Sequence, residues 1–371
     1  MLKTIVKLSA LLSAIYVAII VILSIDTPQR CIMFLHWVRF PFNAKFDMPE
    51  YYGFGHNEVR NIKLKTSDNI TIGAWHILPA NYYEKHQLRH ATAPNDAIYD
   101  EALADINYDT VIYFHGNALN RLAPWRVDLY KKLKYKFRNV NIITIDYRGF
   151  GDSESTPSEF GLRLDAQATL AWLNERKVES NRISLIGHSL GTGVATTLAS
   201  DMAQSGNPAK ALILKAGYSS MATLVFEYNI VPFFPILSPI KRFPQVENWL
   251  LSRLNHKFDS LSRIENINCP LLIVYGIGDL EIPITNSHQL FYRALYGSSK
   301  ENTSQHVADF IANESNDVKR NTIPNEAVVY KALNQDIELH LVELTHGDHN
   351  NVGYFDYTYE AIRDITKWKI I

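Results

Sequence analysis

The chain is poor in cysteine, nearly neutral overall and free of charge runs, and each of these shortages closes off a class of function. Cys31 and Cys269 are the only cysteines among 371 residues, too few for a disulfide framework or a cysteine-rich metal site. Lysine and arginine number 37 against 38 aspartates and glutamates, a formal charge of −1. No basic face is therefore expected to hold a nucleic acid. The sequence carries no repeat or low-complexity tract. The glycines of "GHSLGTG" (187–193) lack the G-x-G-x-x-G spacing, and no Lys-Ser/Thr pair completes a phosphate loop there. A dinucleotide site is therefore not expected. Neither a metal nor an organic cofactor is expected.

What the chain has in quantity is apolar surface, with 47% hydrophobic residues, 20 Tyr and 17 Phe, enough for a sizeable core. From Leu8 to Ile25, "LSALLSAIYVAIIVILSI" carries no charge and follows Lys3 and Lys7. As a helix it would be about 27 Å long, close to the hydrocarbon thickness of a bilayer. It is longer than a typical signal-peptide core, and no clear small-x-small cleavage site follows. Residues 1–30 are therefore expected to form an uncleaved single-pass anchor. Lys3 and Lys7 on one side face Arg30, Arg39 and Lys45 on the other, so charge alone does not orient the span. Sequons at Asn69, Asn302 and Asn313 are glycosylation candidates and favour a lumenal body. Residues 31–45, opening with "CIMFLHWVRFPF", suit a headgroup boundary or, equally, packing on the soluble body.

Residues 46–371 are expected to form one domain. "NIKLKT" and "NITIGAWHILP" flank "SDN" and suggest a hairpin, whereas 81–108 is polar and irregular in pattern. Strand-like and helix-like segments then alternate: "TVIYFHG", "WRVDLYKKLKYKF", "VNIITIDYRGFG", "LRLDAQATLAWLNER", "RISLIG" and "TGVATTLASDMAQ". The strands "AKALILKAG", "PLLIVYG" and "IELHLVEL" follow. This order predicts an α/β fold with a mostly parallel sheet covered on both faces. Two insertions interrupt it: an aromatic, proline-rich cap over about 220–268, and a polar, exposed excursion over about 297–334.

"RISLIGHSLGTGVAT" (182–196) places Ser189 between a strand and a helix. Gly187, His188 and Gly191 around it form a G-x-S-x-G elbow, a strained turn that lifts the hydroxyl clear of the sheet edge. A serine needs a base, and the base needs an acid, here in the order Ser, acid, His, each just past a strand. "PLLIVYGIGDLEIP" presents Asp279 with Glu281 two residues on, and "IELHLVELTHGDHNN" presents His346 and His349. His349 is favoured because it lies farther out in the turn, from which a base can swing over the serine. The oxyanion donors expected are the backbone N–H groups of Leu190, at the helix start, and Asn117, in the loop after His115-Gly116. His115 is expected to be structural, and Asp146 and Arg148 to brace a loop beside the site.

"HGNA", "WRVDLYKKL", "DYRGFGDSESTPSEFGLRLDA" and "GHSLGTGVAT", with "GAWHILP" and "YDEALA" upstream, resemble the membrane-anchored α/β-hydrolase lipases that cleave monoacylglycerols and lysophosphatidylserine. The likeness runs from about residue 60 to 290 and returns near His349. It implies the α/β-hydrolase fold, and Ser189, Asp279 and His349 as nucleophile, acid and base. The family places its acid four residues before a proline, here Pro283, which selects Asp279 over Glu281. It also implies an anchor in the endoplasmic reticulum membrane with the catalytic domain lumenal, and a lipid ester as substrate. The polar insertion departs from the family pattern and the cap follows it loosely. "HGNA" also occurs in hydrolases that remove palmitate from proteins. A protein depalmitoylase, thioesterase or acyl-peptide hydrolase is thus the alternative enzyme, and a silent binding protein the alternative without chemistry.

Overall fold

The computed structural model describes residues 2–92, 96–228, 237–299, 306–307, 310–311 and 317–369. Among these described residues, ten strands form one sheet: β1 Val59–Lys65, β2 Thr71–Ile77, β3 Asp109–Phe114, β4 Val140–Ile145, β5 Ile183–His188, β6 Ala211–Lys215, β7 Leu271–Gly276, β8 Val318–Ile323, β9 Ala327–Asn334 and β10 Ile337–Leu344. Their order is β1-β2-β4-β3-β5-β6-β7-β10-β9-β8. The six strands from β4 to β10 run parallel, and an antiparallel hairpin extends each end. The sheet is therefore mixed around a parallel centre.

The central strands read as unbroken apolar runs because both faces are covered. Side chains alternate between faces with period two. Along β3, Ile112 and Phe114 join one core cluster while Val111 and Tyr113 join the other. Along β7, Leu271 and Ile273 join the first and Leu272 and Val274 the second. Eleven helices are used below: α1 Leu2–Leu23, α2 Asp26–Phe34, α3 Ala80–Lys85, α4 Asp96–Ala104, α5 Pro124–Lys136, α6 Glu159–Glu175, α7 Leu190–Gln204, α8 Pro244–Ser252, α9 Ser260–Ile264, α10 Thr285–Tyr296 and α11 Asp356–Thr366. Helices α6, α7 and α10 cover the first face, with Leu162, Leu198 and Leu290 inward. Helices α5 and α11 cover the second, with Tyr130, Leu133 and Ile362 inward.

Two expectations are corrected here. Residues 81–108 are not irregular, because they carry α3 and α4. There Tyr82, Tyr83, Leu88, Tyr99, Ala102 and Tyr108 bury a small core of their own beside Leu78. Helices this short give too few turns for a periodic pattern to show. The excursion at 297–334 is likewise not wholly exposed, since β8 and β9 lie in it and extend the sheet beyond β10. Ala327, Val329, Tyr330 and Ala332 are buried, in a run whose alternation is obscured by the polar residues around it. Asn302 and Asn313 lie outside the described residues, while Asn69 is exposed in the β1–β2 turn at φ +66°.

Helix α1 is long and apolar enough to cross a membrane, at 22 residues or about 33 Å. It starts earlier than expected and stops at Leu23, and α2 follows after a break at Ser24–Ile25. On α1, Ile20, with Tyr16 and Leu23, packs against Phe226, Leu237, Ile240 and Leu250 of the cap. In the aromatic stretch after the span, part of the chain packs on the body. Phe34 is fully buried, whereas Trp37 and Phe42 stand in the open.

Candidate active site

Strand β5 ends at His188 and α7 begins at Leu190, leaving Ser189 alone at the turn with φ +51° and ψ −121°. A non-glycine residue held there stores about 1–3 kcal/mol of strain. The turn is tight because the helix lies against the neighbouring strand. A Cβ at Gly191 would fall 2.1 Å from the Phe114 carbonyl oxygen, and one at Gly187 would fall 2.5 Å from that of Gly191. The Ser189 amide donates to the Lys215 carbonyl at 3.0 Å, which pins the elbow to β6.

Asp279 leaves β7 and His349 leaves β10, and because these strands are parallel neighbours their loops emerge side by side. The two loops meet backbone to backbone: a Cβ at Gly276 would lie 2.3 Å from the Gly347 carbonyl carbon, and the Gly278 amide donates to the Gly347 oxygen at 2.8 Å. The structure brings Ser189, Asp279 and His349 together. Ser189 Oγ lies 2.9 Å from His349 Nε2, and His349 Nδ1 lies 2.8 Å from Asp279 Oδ2. The Glu281 and Ile282 amides, each at 2.9 Å, donate to Asp279 Oδ1. Glu281 Oε2 stands 3.7 Å from His349 Nε2 and accepts from the Tyr228 hydroxyl at 3.1 Å, while His346 is exposed on the loop.

Burial pulls the pKa of His349 down, but the Asp279 hydrogen bond and charge, with Glu281 and Asp348, outweigh it and raise the pKa above its usual value. His188 Nε2 lies 2.8 Å from the His349 carbonyl oxygen. Burial, together with the positive character of His349 and Lys215, pushes the pKa of His188 well down, so this ring is neutral and donates to that carbonyl. Burial alone lowers Lys215 to about 7.

The loop from Gly116 to Arg121 runs over the elbow, and a Cβ at Gly116 would lie 3.2 Å from that of Ser189. The buried Arg126 of α5 holds it by donating to the carbonyls of Gly116 (3.2 Å), Asn117 (3.0 Å), Ala118 (3.0 Å) and Asn120 (2.8 Å). Because a trans peptide points its C=O and N–H in opposite directions, tying back the Gly116 oxygen turns the Asn117 N–H away from Arg126. Neither that N–H nor that of Leu190 donates to a protein acceptor among the described residues. His115 and Asp146 lie beneath, with the Arg121 amide and guanidinium on Asp146. Arg148 is elsewhere, joining Asp68 of the β1–β2 turn to Asp165 of α6, so Asp146 alone of the expected pair braces this loop. The role of Arg126 was hidden in sequence, where it reads as one more cation on an amphipathic helix.

A cavity of about 150 Å³ opens at Ser189, Leu190 and Asn117. Its walls are Met221, Leu224 and Leu250 of the cap, Tyr218 and Ile282 of the strand ends, and Leu23, Ile32 and Met33 of α1 and α2. Among the described residues, no group of three His, Cys, Asp or Glu could hold a metal ion.

Comparison with known proteins places the chain in a family. Residues 109–237 match the α/β hydrolase fold family. A protein of Danio rerio named lysophosphatidylserine lipase ABHD12 is 32% identical over 289 residues, which is 78% of this chain and 72% of that one. The Rattus norvegicus protein of the same name is 33% identical over 266 residues, 71% of this chain and 63% of that one. Among solved structures, the Pyrococcus furiosus esterase Pf2001 matches 89% of this chain and 95% of its own at a TM-score of 0.53 and 17% identity, a likeness of fold. The chain belongs to the α/β-hydrolase family, alongside those lipases, and is a serine ester hydrolase.

Proposed function

We propose that the chain hydrolyses the ester of a single-chain lipid, a monoacylglycerol or a lysophospholipid such as lysophosphatidylserine, at the surface of the membrane that α1 crosses. The observation that carries the reading is the cavity: it is lined mainly by apolar side chains, reaches Ser189, and has Leu23 of the apolar α1 in its wall. An acyl chain leaving the bilayer along α1 would enter it without crossing water.

His349 Nε2 takes the Ser189 proton as Oγ attacks the ester carbonyl carbon. Asp279 holds the imidazole with Nδ1 protonated and stabilises the imidazolium that forms. The carbonyl oxygen becomes an oxyanion that accepts from the Leu190 and Asn117 amides, groups preorganised by α7 and by Arg126. Collapse returns the His349 proton to the departing alcohol and leaves the acyl chain on Ser189. A water, deprotonated by His349, then attacks the acyl-enzyme, and collapse returns that proton to Ser189 Oγ as the fatty acid is released. The apolar α1 and the resemblance of the sequence to membrane-anchored lipases support an endoplasmic reticulum location with the body lumenal, where Asn69 would be open to glycosylation.

The test compares the full chain with Ser189→Ala in membranes, on a panel of monoacylglycerols, lysophospholipids and acylated peptides. Wild type is expected to turn over the single-chain lipids and to be labelled by a fluorophosphonate, and Ser189→Ala to do neither. Equal labelling of both would refute Ser189 as nucleophile. Faster turnover of the peptides would replace the lipid by an acylated protein.

A further inference from the structure

The segment that joins the anchor to the body touches the loop carrying one proposed oxyanion donor. The Ala118 amide donates to the Phe34 carbonyl at 2.9 Å, and the Leu119 amide donates to the Val38 carbonyl at 3.0 Å. Ala118 and Leu119 are consecutive non-glycine residues at φ +56° and +58°, a left-handed pair that persists only where its surroundings impose it. Arg126 supplies the restraint on the carbonyl side, and residues 34–38 supply it on the amide side.

The strap is itself fixed at several points. The Phe34 ring lies edge-on to His256 at 5.2 Å and to Phe258 at 6.1 Å. The buried Gln29 side chain donates to the Arg253 carbonyl at 2.8 Å and accepts from the Asn255 amide at 3.2 Å. Asn255 also donates to Asp26 at 2.9 Å. Within the strap, Leu35 turns the chain at φ +48° and accepts from the Val38 amide at 2.9 Å. The carbonyls of Phe34 and Val38 are thereby set at a fixed separation, matched to two successive amides of the loop.

We infer that residues 34–38 act as a positioning element for the oxyanion hole, so that the chain leaving the anchor sets the aim of the Asn117 amide. The inference rests on Ser189 being the nucleophile, as proposed above. With Ala118 and Leu119 gripped from one side and the Gly116 and Asn117 carbonyls from the other, the peptide between Gly116 and Asn117 has little freedom to rotate. Releasing the strap frees the loop to leave its left-handed pair, and the Asn117 N–H turns with it. The attacking groups stay in place because Asp279 and His349 hang from β7 and β10.

The experiment uses the full chain in membranes with two glycines inserted between Leu35 and His36, so that the two carbonyls lose register with the loop. Three quantities are read with one monoacylglycerol: kcat, KM, and the affinity of a trifluoromethyl ketone whose adduct places its oxyanion in the hole. Loss of an oxyanion donor lowers kcat by about 10²–10³, and a loosened one is expected to cost at least about 10-fold. KM is expected to stay within about threefold, and ketone affinity to fall by the same factor as kcat/KM. Asn255→Ala, which frees Asp26 of α2 while leaving the strap sequence and the cavity wall intact, is expected to lower kcat and ketone affinity by less, with KM again within about threefold. Unchanged kcat in both variants, or a fall in kcat with unchanged ketone affinity, would overturn the inference. An insertion variant that does not fold leaves Asn255→Ala to decide it by the same criteria. If the wild type resists the fluorophosphonate, it is the nucleophile assignment that has failed.

Discussion

Replacing Glu281 by glutamine separates the two carboxylates near His349, because the structure gives them different tasks. Asp279 accepts from Nδ1 at 2.8 Å and is itself fixed by two backbone amides. Glu281 faces the other nitrogen, Nε2, at 3.7 Å, and its side chain is 37% exposed. At about 4 Å a pair of unit charges interacts by about 1 kcal/mol in water and about 4 kcal/mol at a protein surface. Exposure favours the lower figure. The Glu281 charge therefore supports the imidazolium by about 1 kcal/mol, and Glu281→Gln is expected to lower the His349 pKa from its raised value. The other groups acting on that imidazole are unchanged: Asp279 and Asp348 raise its pKa, while His188 and Lys215 lie beneath it. Only neutral His349 can accept the serine proton, so activity is lost as pH falls through its pKa. The acid limb of kcat/KM, measured with an uncharged ester, is expected to move to lower pH, with the plateau rate kept. Asp279→Asn is expected to lower kcat by about 10⁴ through the wrong tautomer. A large loss of plateau rate in Glu281→Gln, with little in Asp279→Asn, would refute the assignment of the acid.

Gly191→Ala forces a Cβ to within 2.1 Å of the Phe114 oxygen. It is expected to cost about 1–3 kcal/mol by overpacking and to abolish turnover, read by thermal melting and activity together. The cap helix α8 leaves Val246 and Trp249 exposed, as is Phe243 just before it, and the cap packs on the Tyr16–Leu23 end of α1. Seven residues of helix are about 10 Å, so Trp249 is expected to sit at the hydrocarbon boundary. Brominated lipids should quench wild-type tryptophan fluorescence more than that of Trp249→Phe, and equal quenching would place the cap in water.

The parallel centre of the sheet was legible because buried strands carry apolar runs with little competing signal, as in "VNIITI" and "LLIVYG". The elbow was legible because Gly187, Ser189 and Gly191 are adjacent in sequence. Asp279 and Glu281 could not be separated from composition, since their difference lies in which imidazole nitrogen each faces. The β8–β9 hairpin and helices α3 and α4 were missed because short elements in polar surroundings are settled by tertiary burial. Arg126 was missed for a similar reason. Its value comes from four carbonyls brought to it by a loop, and no local pattern records that.

Leu23 is a residue of the apolar N-terminal helix and also a wall of the cavity at Ser189. A water-soluble fragment made by cutting away that helix would therefore carry an altered binding site, with one side opened to solvent. Inhibitors selected on such a fragment would be chosen for a shape the intact protein does not present, and chain-length preferences measured on it would drift toward smaller, more polar esters. Screening in bilayer discs or detergent that retains the helix keeps that wall in place.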